Sequence, residues 1–186
     1  MTKAATQTPS LEALRARLDT LDTELLHLVD ERAGIARLVA AAKAAAGGGG
    51  KFALRPARET AILRRLLAAR RDTTSASLVV RIWRELIGDS LSVQGPFHLH
   101  VWGGKDPATT TEAARNRFGA APSVVQAAKP EDALAGARTL GGVAVCALSP
   151  DAAWWGRLLA EPTLKVFSAL PCLPPGDPPA PWLWRR

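Results

Sequence analysis

Residues 10–43 read SLEALRARLDTLDTELLHLVDERAGIARLVAAAK. Leu11, Leu14, Leu18, Leu21, Leu25 and Leu28 fall at alternating intervals of three and four, the spacing that gathers apolar side chains on one face of an α-helix. Ser10 is placed to cap the first turn. The pattern predicts one helix to about residue 46, where the glycines at 47–50 make continuation cost roughly 1 kcal/mol each relative to alanine. At 1.5 Å per residue such a helix spans roughly 50 Å, longer than a compact domain of about 90 residues is wide. Its apolar face therefore asks for a partner chain.

Working outward, Pro56 suits the first turn of a second helix that turns Ile62, Leu63, Leu66 and Leu67 inward and ends before Arg70, Arg71 and Asp72. A third helix starts near Ser75 or Ser77, carries Val79, Ile82, Trp83, Leu86 and Ile87 at helical spacing, and ends around Gly95 and Pro96. Beyond Pro96 the texture changes. Short β-prone runs at 97–102, 123–126, 143–148 and 164–170 alternate with helical segments at 111–118, 130–138 and 151–160, the pattern of a small, mostly parallel α/β layer. The expected architecture is α + α/β: an intertwined, dimeric three-helix domain over 10–96, a small α/β domain over 97–172, and a proline-rich tail over 173–186 read as an extended strap.

Apolar residues make up 47% of the 186-residue chain and charged residues 22%, the balance of a folded protein with a sizeable core. Residues 1–9 lack the apolar stretch of a secretory signal, and no apolar run reaches the length of a membrane span, so a cytoplasmic protein without a membrane partner is expected. Cys146 and Cys172 are too far apart for a CxxC pair and read as ordinary thiols. The net charge of +7 raises nucleic acid as a partner, but its distribution opposes that reading. Residues 1–96 hold 15 Lys plus Arg against 10 Asp plus Glu, and the remainder 9 against 7, with no basic tail or aromatic-basic stripe. Part of the excess is better spent on an anionic small molecule, which needs only a few well-placed cations.

The placement of polar residues supports this. In heptads from Leu11 the core position recurs at Leu18, Leu25, Arg32 and Val39, so an arginine stands where leucine is expected. Lys43, eleven residues on, is rotated only about 20° from Arg32, and the two cations point the same way. The apolar stripe of the second helix extends back to Glu59, and that of the third extends forward to Ser90 and Gln94. Each alone reads as a helix-end side chain that snorkels or caps. Together, on three helices, they read as a site. Arg15 lies about 25 Å from Arg32 along a straight helix and is rotated by roughly 100°. It is either a solvated surface arginine or a contributor to a site on a partner chain.

These residues and spacings resemble the all-helical (type II) chorismate mutases over residues 11–95, about half the chain. The elements are Leu14-Arg15, Asp30-Glu31-Arg32, Lys43, Arg58-Glu59 after an arginine-proline turn, and Asp-Ser-Leu-Ser-Val-Gln at 89–94. The resemblance implies a domain-swapped homodimer of three-helix chains and a Claisen rearrangement of chorismate to prephenate in phenylalanine and tyrosine biosynthesis. By position, Arg32 and the partner's Arg15 clamp the two carboxylates and Ser90 assists. Lys43 and Gln94 donate to the ether oxygen, Glu59 accepts from the ring hydroxyl, and Arg58 adds a supporting charge. No metal and no cofactor are implied, in keeping with a sequence lacking a triad, a ligand cluster or a phosphate loop. Arg55 departs from the acidic residue that bacterial members often carry there. An isochorismate-pyruvate lyase of the same fold and a catalytically silent dimer that binds aromatic-pathway ligands are the alternatives.

The second half is less informative. His98 and His100 share a strand face, but without a carboxylate or cysteine nearby they make a poor metal site. His27 falls on the outer face of the first helix. Trp154, Trp155, Trp182 and Trp184 read as packing and tail docking rather than a ligand cage. Arg115-Asn116-Arg117-Phe118 is faintly similar to a prephenate dehydratase motif, and the region resembles a fragment of such a lobe, read here as an accessory or regulatory unit.

Overall fold

A computed structural model of the chain describes residues 9–48, 54–150 and 152–171. Helix α1 runs over Leu11–Lys43, with the Ser10 hydroxyl accepting from the Ala13 amide at 3.2 Å. A wide π-type turn over Ala44–Gly48 follows, broken by Gly47 at φ 71°. Helix α2 spans Pro56–Ala69 with its proline in the first turn, and α3 spans Ala76–Val93, capped by the Ser75 hydroxyl on the Leu78 amide. Among the residues of α1 only Ala36 is buried, and the six leucines of its stripe are 36–62% exposed. One chain by itself leaves that face uncovered.

The remaining elements are β1 (His98–Trp102), α4 (Pro107–Phe118), β2 (Ser123–Gln126), α5 (Pro130–Ala137), β3 (Gly142–Cys146) and a 3₁₀ turn over Trp154–Ala160. The three strands form one parallel sheet in the order β2-β1-β3, with Leu99 opposite both Val124 and Val143. Side chains of β1 alternate between faces. Leu99 and Val101, fully buried, join Ala114 and Phe118 of α4, Val143 and Val145 of β3, and Leu91 of α3 in one core, so the helical part and the sheet share it. His100 faces the other way, so close to Gly136 of α5 that a side chain there would meet its ring.

Three expectations need correction. Residues 164–170 form no strand: Phe167 instead packs edge-on against Phe118, ring centroids 6.2 Å apart, and Leu170 packs on the core, while Val166 is 72% exposed. Apolar composition suits an anchor as well as a strand, and here burial is gained through single side chains. The helix expected at 151–160 is the 3₁₀ turn, in keeping with Leu159 at 94% exposed, since a helix there would have no apolar face to bury. Helix α4 begins four residues earlier than expected, capped by Asp106, whose side chain accepts from the Thr109 amide at 3.0 Å. Hydrogen bonding from the Thr109 side chain, and then from its amide, draws the exposed Asp106 carboxyl below its ordinary range. The tail at 173–186, with Trp182 and Trp184, and Cys172 lie outside the described residues.

Candidate active site

Helices α1, α2 and α3 enclose an open cavity of about 350 Å³. Six of the polar residues singled out in the sequence line it: Arg32 and Lys43 from α1, Arg58 and Glu59 from α2, and Ser90 with Gln94 at the end of α3. Arg55 lines it as well, and Ile35, Val39, Ile62, Ile87 and Leu91 supply apolar walls. Arg15 does not, being exposed near the far end of α1.

The polar groups are held in a chain of hydrogen bonds. Arg32 Nη1 donates to the Leu86 carbonyl and to Ser90 Oγ, both at 2.7 Å, and Ser90 Oγ donates to the same carbonyl at 2.7 Å. Lys43 Nζ donates to Gln94 Oε1 at 2.5 Å, and Gln94 Nε2 donates to the Ser90 carbonyl at 2.8 Å. These bonds stop the long side chains of α1 from sampling other rotamers and point their charge at α3. Burial pushes the Arg32 guanidinium below its ordinary pKa, partly offset by the Asp89 carboxylate. A cation stripped of water in this way binds an anion more strongly than a solvated one.

Among the described residues Glu59 is the buried charged one, 6% exposed. Its Oε2 receives Arg117 Nη2 of α4 at 2.8 Å, and both side chains are nearly enclosed. Its Oε1 is buried and has no hydrogen-bond partner among the described residues. Arg117 is the residue that sequence reasoning missed. It was noticed only within a faint motif, and nothing in the local pattern of α4 ties it to a helix so far upstream.

The weaker candidates resolve into packing. His98 Nδ1 is 2.7 Å from Ser123 Oγ across the sheet, and no group of three metal-binding side chains occurs among the described residues. Burial, with the neighbouring His98, lowers the His100 pKa. Trp154 donates from its indole to the Ala147 carbonyl at 2.8 Å and stacks edge-on with Trp155. Cys146 is a half-buried free thiol pushed up to about 11 by burial and the Glu131 carboxylate. Among the described residues no helix is long and apolar enough to cross a membrane.

Comparison with known proteins bears on the same segment. Residues 14–95 match the family model described as chorismate mutase type II. The chain is 32% identical over 111 residues to a bifunctional chorismate mutase/prephenate dehydratase of Pseudomonas aeruginosa, covering 59% of this chain and 30% of that protein. Similar proteins of the same description occur in Stutzerimonas stutzeri, at 30% identity over 111 residues, and in Neisseria gonorrhoeae, at 31% over 105. In these two the match covers 59% and 56% of this chain, but only 30% and 27% of the relatives. The matched region thus spans under a third of the length of these relatives. No solved structure matches the chain significantly.

Proposed function

We propose that the type II chorismate mutase segment at 14–95 is active, and that the cavity between α1, α2 and α3 isomerises chorismate to prephenate in aromatic amino-acid biosynthesis. The observation that carries the reading is the convergence of Arg32, Lys43, Arg58, Glu59, Ser90 and Gln94 on one cavity. Its volume of about 350 Å³ lies in the range of small-molecule sites.

In this reading Arg32, steadied by Ser90 and the Leu86 carbonyl, takes one carboxylate of the substrate in a charge-assisted hydrogen bond. Arg58 adds positive potential, and Glu59 accepts from the ring hydroxyl. Lys43 and Gln94, bonded to each other, keep further N–H groups to donate to the ether oxygen, whose charge grows only as the C–O bond breaks. The new C–C bond forms as that bond is lost, within one molecule, so the protein's work is to hold the enolpyruvyl arm over the ring and to stabilise developing charge. A millionfold acceleration corresponds to roughly 8 kcal/mol, a sum that positioning and two preorganised donors supply.

The second carboxylate is assigned to the partner's Arg15 in a homodimer. Support comes from the exposed leucine stripe on α1 and from Arg15 lying too far along that helix to serve its own cavity. The test is direct: purified protein is given chorismate, and prephenate is followed by NMR. Failure to form prephenate overturns the reading, and release of pyruvate from isochorismate alone would replace it with a lyase.

A further inference from the structure

The Arg117–Glu59 contact joins two parts of the molecule that the sequence treats separately. Glu59 lines the main cavity and also a smaller one of about 160 Å³, which Arg117 lines too. We infer that Arg117, supplied by the α/β unit, is a positioning residue for the site: by holding Glu59 Oε2 it fixes where the Glu59 carboxylate stands at the cavity wall. This rests on the reading of the cavity given above.

The geometry is that of a designed support. A free carboxylate turns about its last bond and has several acceptor directions. A charge-assisted bond of 2.8 Å on one oxygen removes that freedom, and the other oxygen is buried with no hydrogen-bond partner among the described residues. Burying an anion is costly unless a cation accompanies it, and Arg117 provides that cation. Arg117 is itself fixed, since its guanidinium lies 4.8 Å from the centre of the Phe118 ring.

The docking of α4 on α3 is equally specific. Arg84 Nη1 donates to the Asn116 carbonyl at 3.0 Å, and the Ala120 amide donates to Glu85 Oε2 at 2.8 Å. Gly88 lets the Phe118 carbonyl come within 2.1 Å of where a Cβ would stand. Helix α4 is thus seated to within a side chain's width, and Arg117 with it. The α/β unit, whose sheet carries none of the cavity's polar residues, contributes to the chemistry through this one side chain.

The test is a double-mutant cycle on the full chain, with kcat/KM for prephenate formation measured in Arg117→Met, Arg117→Lys, Glu59→Gln and the Glu59→Gln/Arg117→Met pair. Arg117→Met is expected to lose on the order of 10²-fold, the size of effect that misplacing a group by an ångström produces. Arg117→Lys, which keeps the charge, recovers most of that loss. Once Glu59 is Gln, Arg117→Met costs nothing further. Independent, multiplying losses in the pair, or an Arg117→Met enzyme as active as the parent, would overturn the inference while leaving the mutase reading intact. A parent protein that makes no prephenate overturns both. If Arg117→Met alone fails to fold, the uncharged pair and the Lys variant still decide, through the recovery by Lys and through the equality of the pair with Glu59→Gln.

Discussion

Gly88→Ala, a change of one methyl group, tests how the two parts of the chain are held. An ideal Cβ at this position stands 2.1 Å from the Phe118 carbonyl oxygen and 3.2 Å from its carbon, both backbone atoms of α4 that cannot rotate away. Restoring ordinary contact at roughly 3.5 Å requires α3 and α4 to part by more than ~1 Å. If α4 withdraws from α2 by the same distance, the Arg117–Glu59 bond, 2.8 Å long, stretches to about the limit of an ion pair. Overpacking of this kind costs about 1–3 kcal/mol. In a chain of this size that amounts to a fall in Tm of roughly 2–4 °C for each kcal/mol. The expected result is a fall of several degrees by calorimetry, accompanied by a drop in kcat/KM, although no atom of the cavity's polar side chains has been removed. An alanine variant as stable and as active as the parent would refute the claim that close backbone approach at Gly88 seats α4. A variant that loses stability but no activity would separate the docking from Glu59.

Replacing Arg32 or Lys43 by alanine should lower kcat by at least ~10²-fold, the effect of losing one preorganised donor, while far-ultraviolet circular dichroism keeps its helical signal. Arg15→Ala and Arg32→Ala homodimers should each be inactive, yet mixing them after dissociation should restore about a quarter of parental activity, because half the dimers are then mixed and each has one intact site; no recovery would show that Arg15 does not act across chains. Leu18→Glu, in the middle of the exposed stripe, should yield a monomer in sedimentation and abolish activity with it. The Cys146 thiol, raised to about 11, should resist iodoacetamide at pH 8, with labelling mapped by mass spectrometry rising as the pH approaches that value and the thiolate forms; rapid modification at pH 8 would contradict its burial.

Much of the helical part can be read from the chain because the signals are local and agree. Leucines at three and four residues give α1, serines at its start and at that of α3 give the caps, and polar residues at apolar-facing positions mark the cavity. Two errors in the second half have different causes, one local and one tertiary. The Asp106-Pro107 signal for the start of α4 was available, but Thr109, Thr110 and Thr111 look β-prone. In the structure the hydroxyls of Thr110 and Thr111 bond back to the carbonyls of residues 106 and 107 within the helix. The run at 164–170 has strand composition, and whether it pairs with a sheet edge or anchors by Phe167 is decided by tertiary fit alone. The partner of Glu59 is of the second kind: no periodicity in α2 or α4 encodes it, only the seating of one helix on another.

The two features of α1 that one chain leaves unexplained have the same remedy. Covering a half-exposed leucine is worth roughly 1 kcal/mol, and six of them along one face leave several kcal/mol per chain to be gained by a second copy. The same face carries Arg32 and Lys43 at its far end, where the helix is bonded to its own α3 and lines the cavity. A partner helix laid antiparallel along the leucines would bring its own first turns toward that cavity, and Arg15 is one of the cations those turns carry. The proposed dimer would therefore bury the stripe and complete the set of charges in a single step. Substitutions in the stripe should cost stability and substrate binding together, whereas substitutions at Arg15 should cost binding alone.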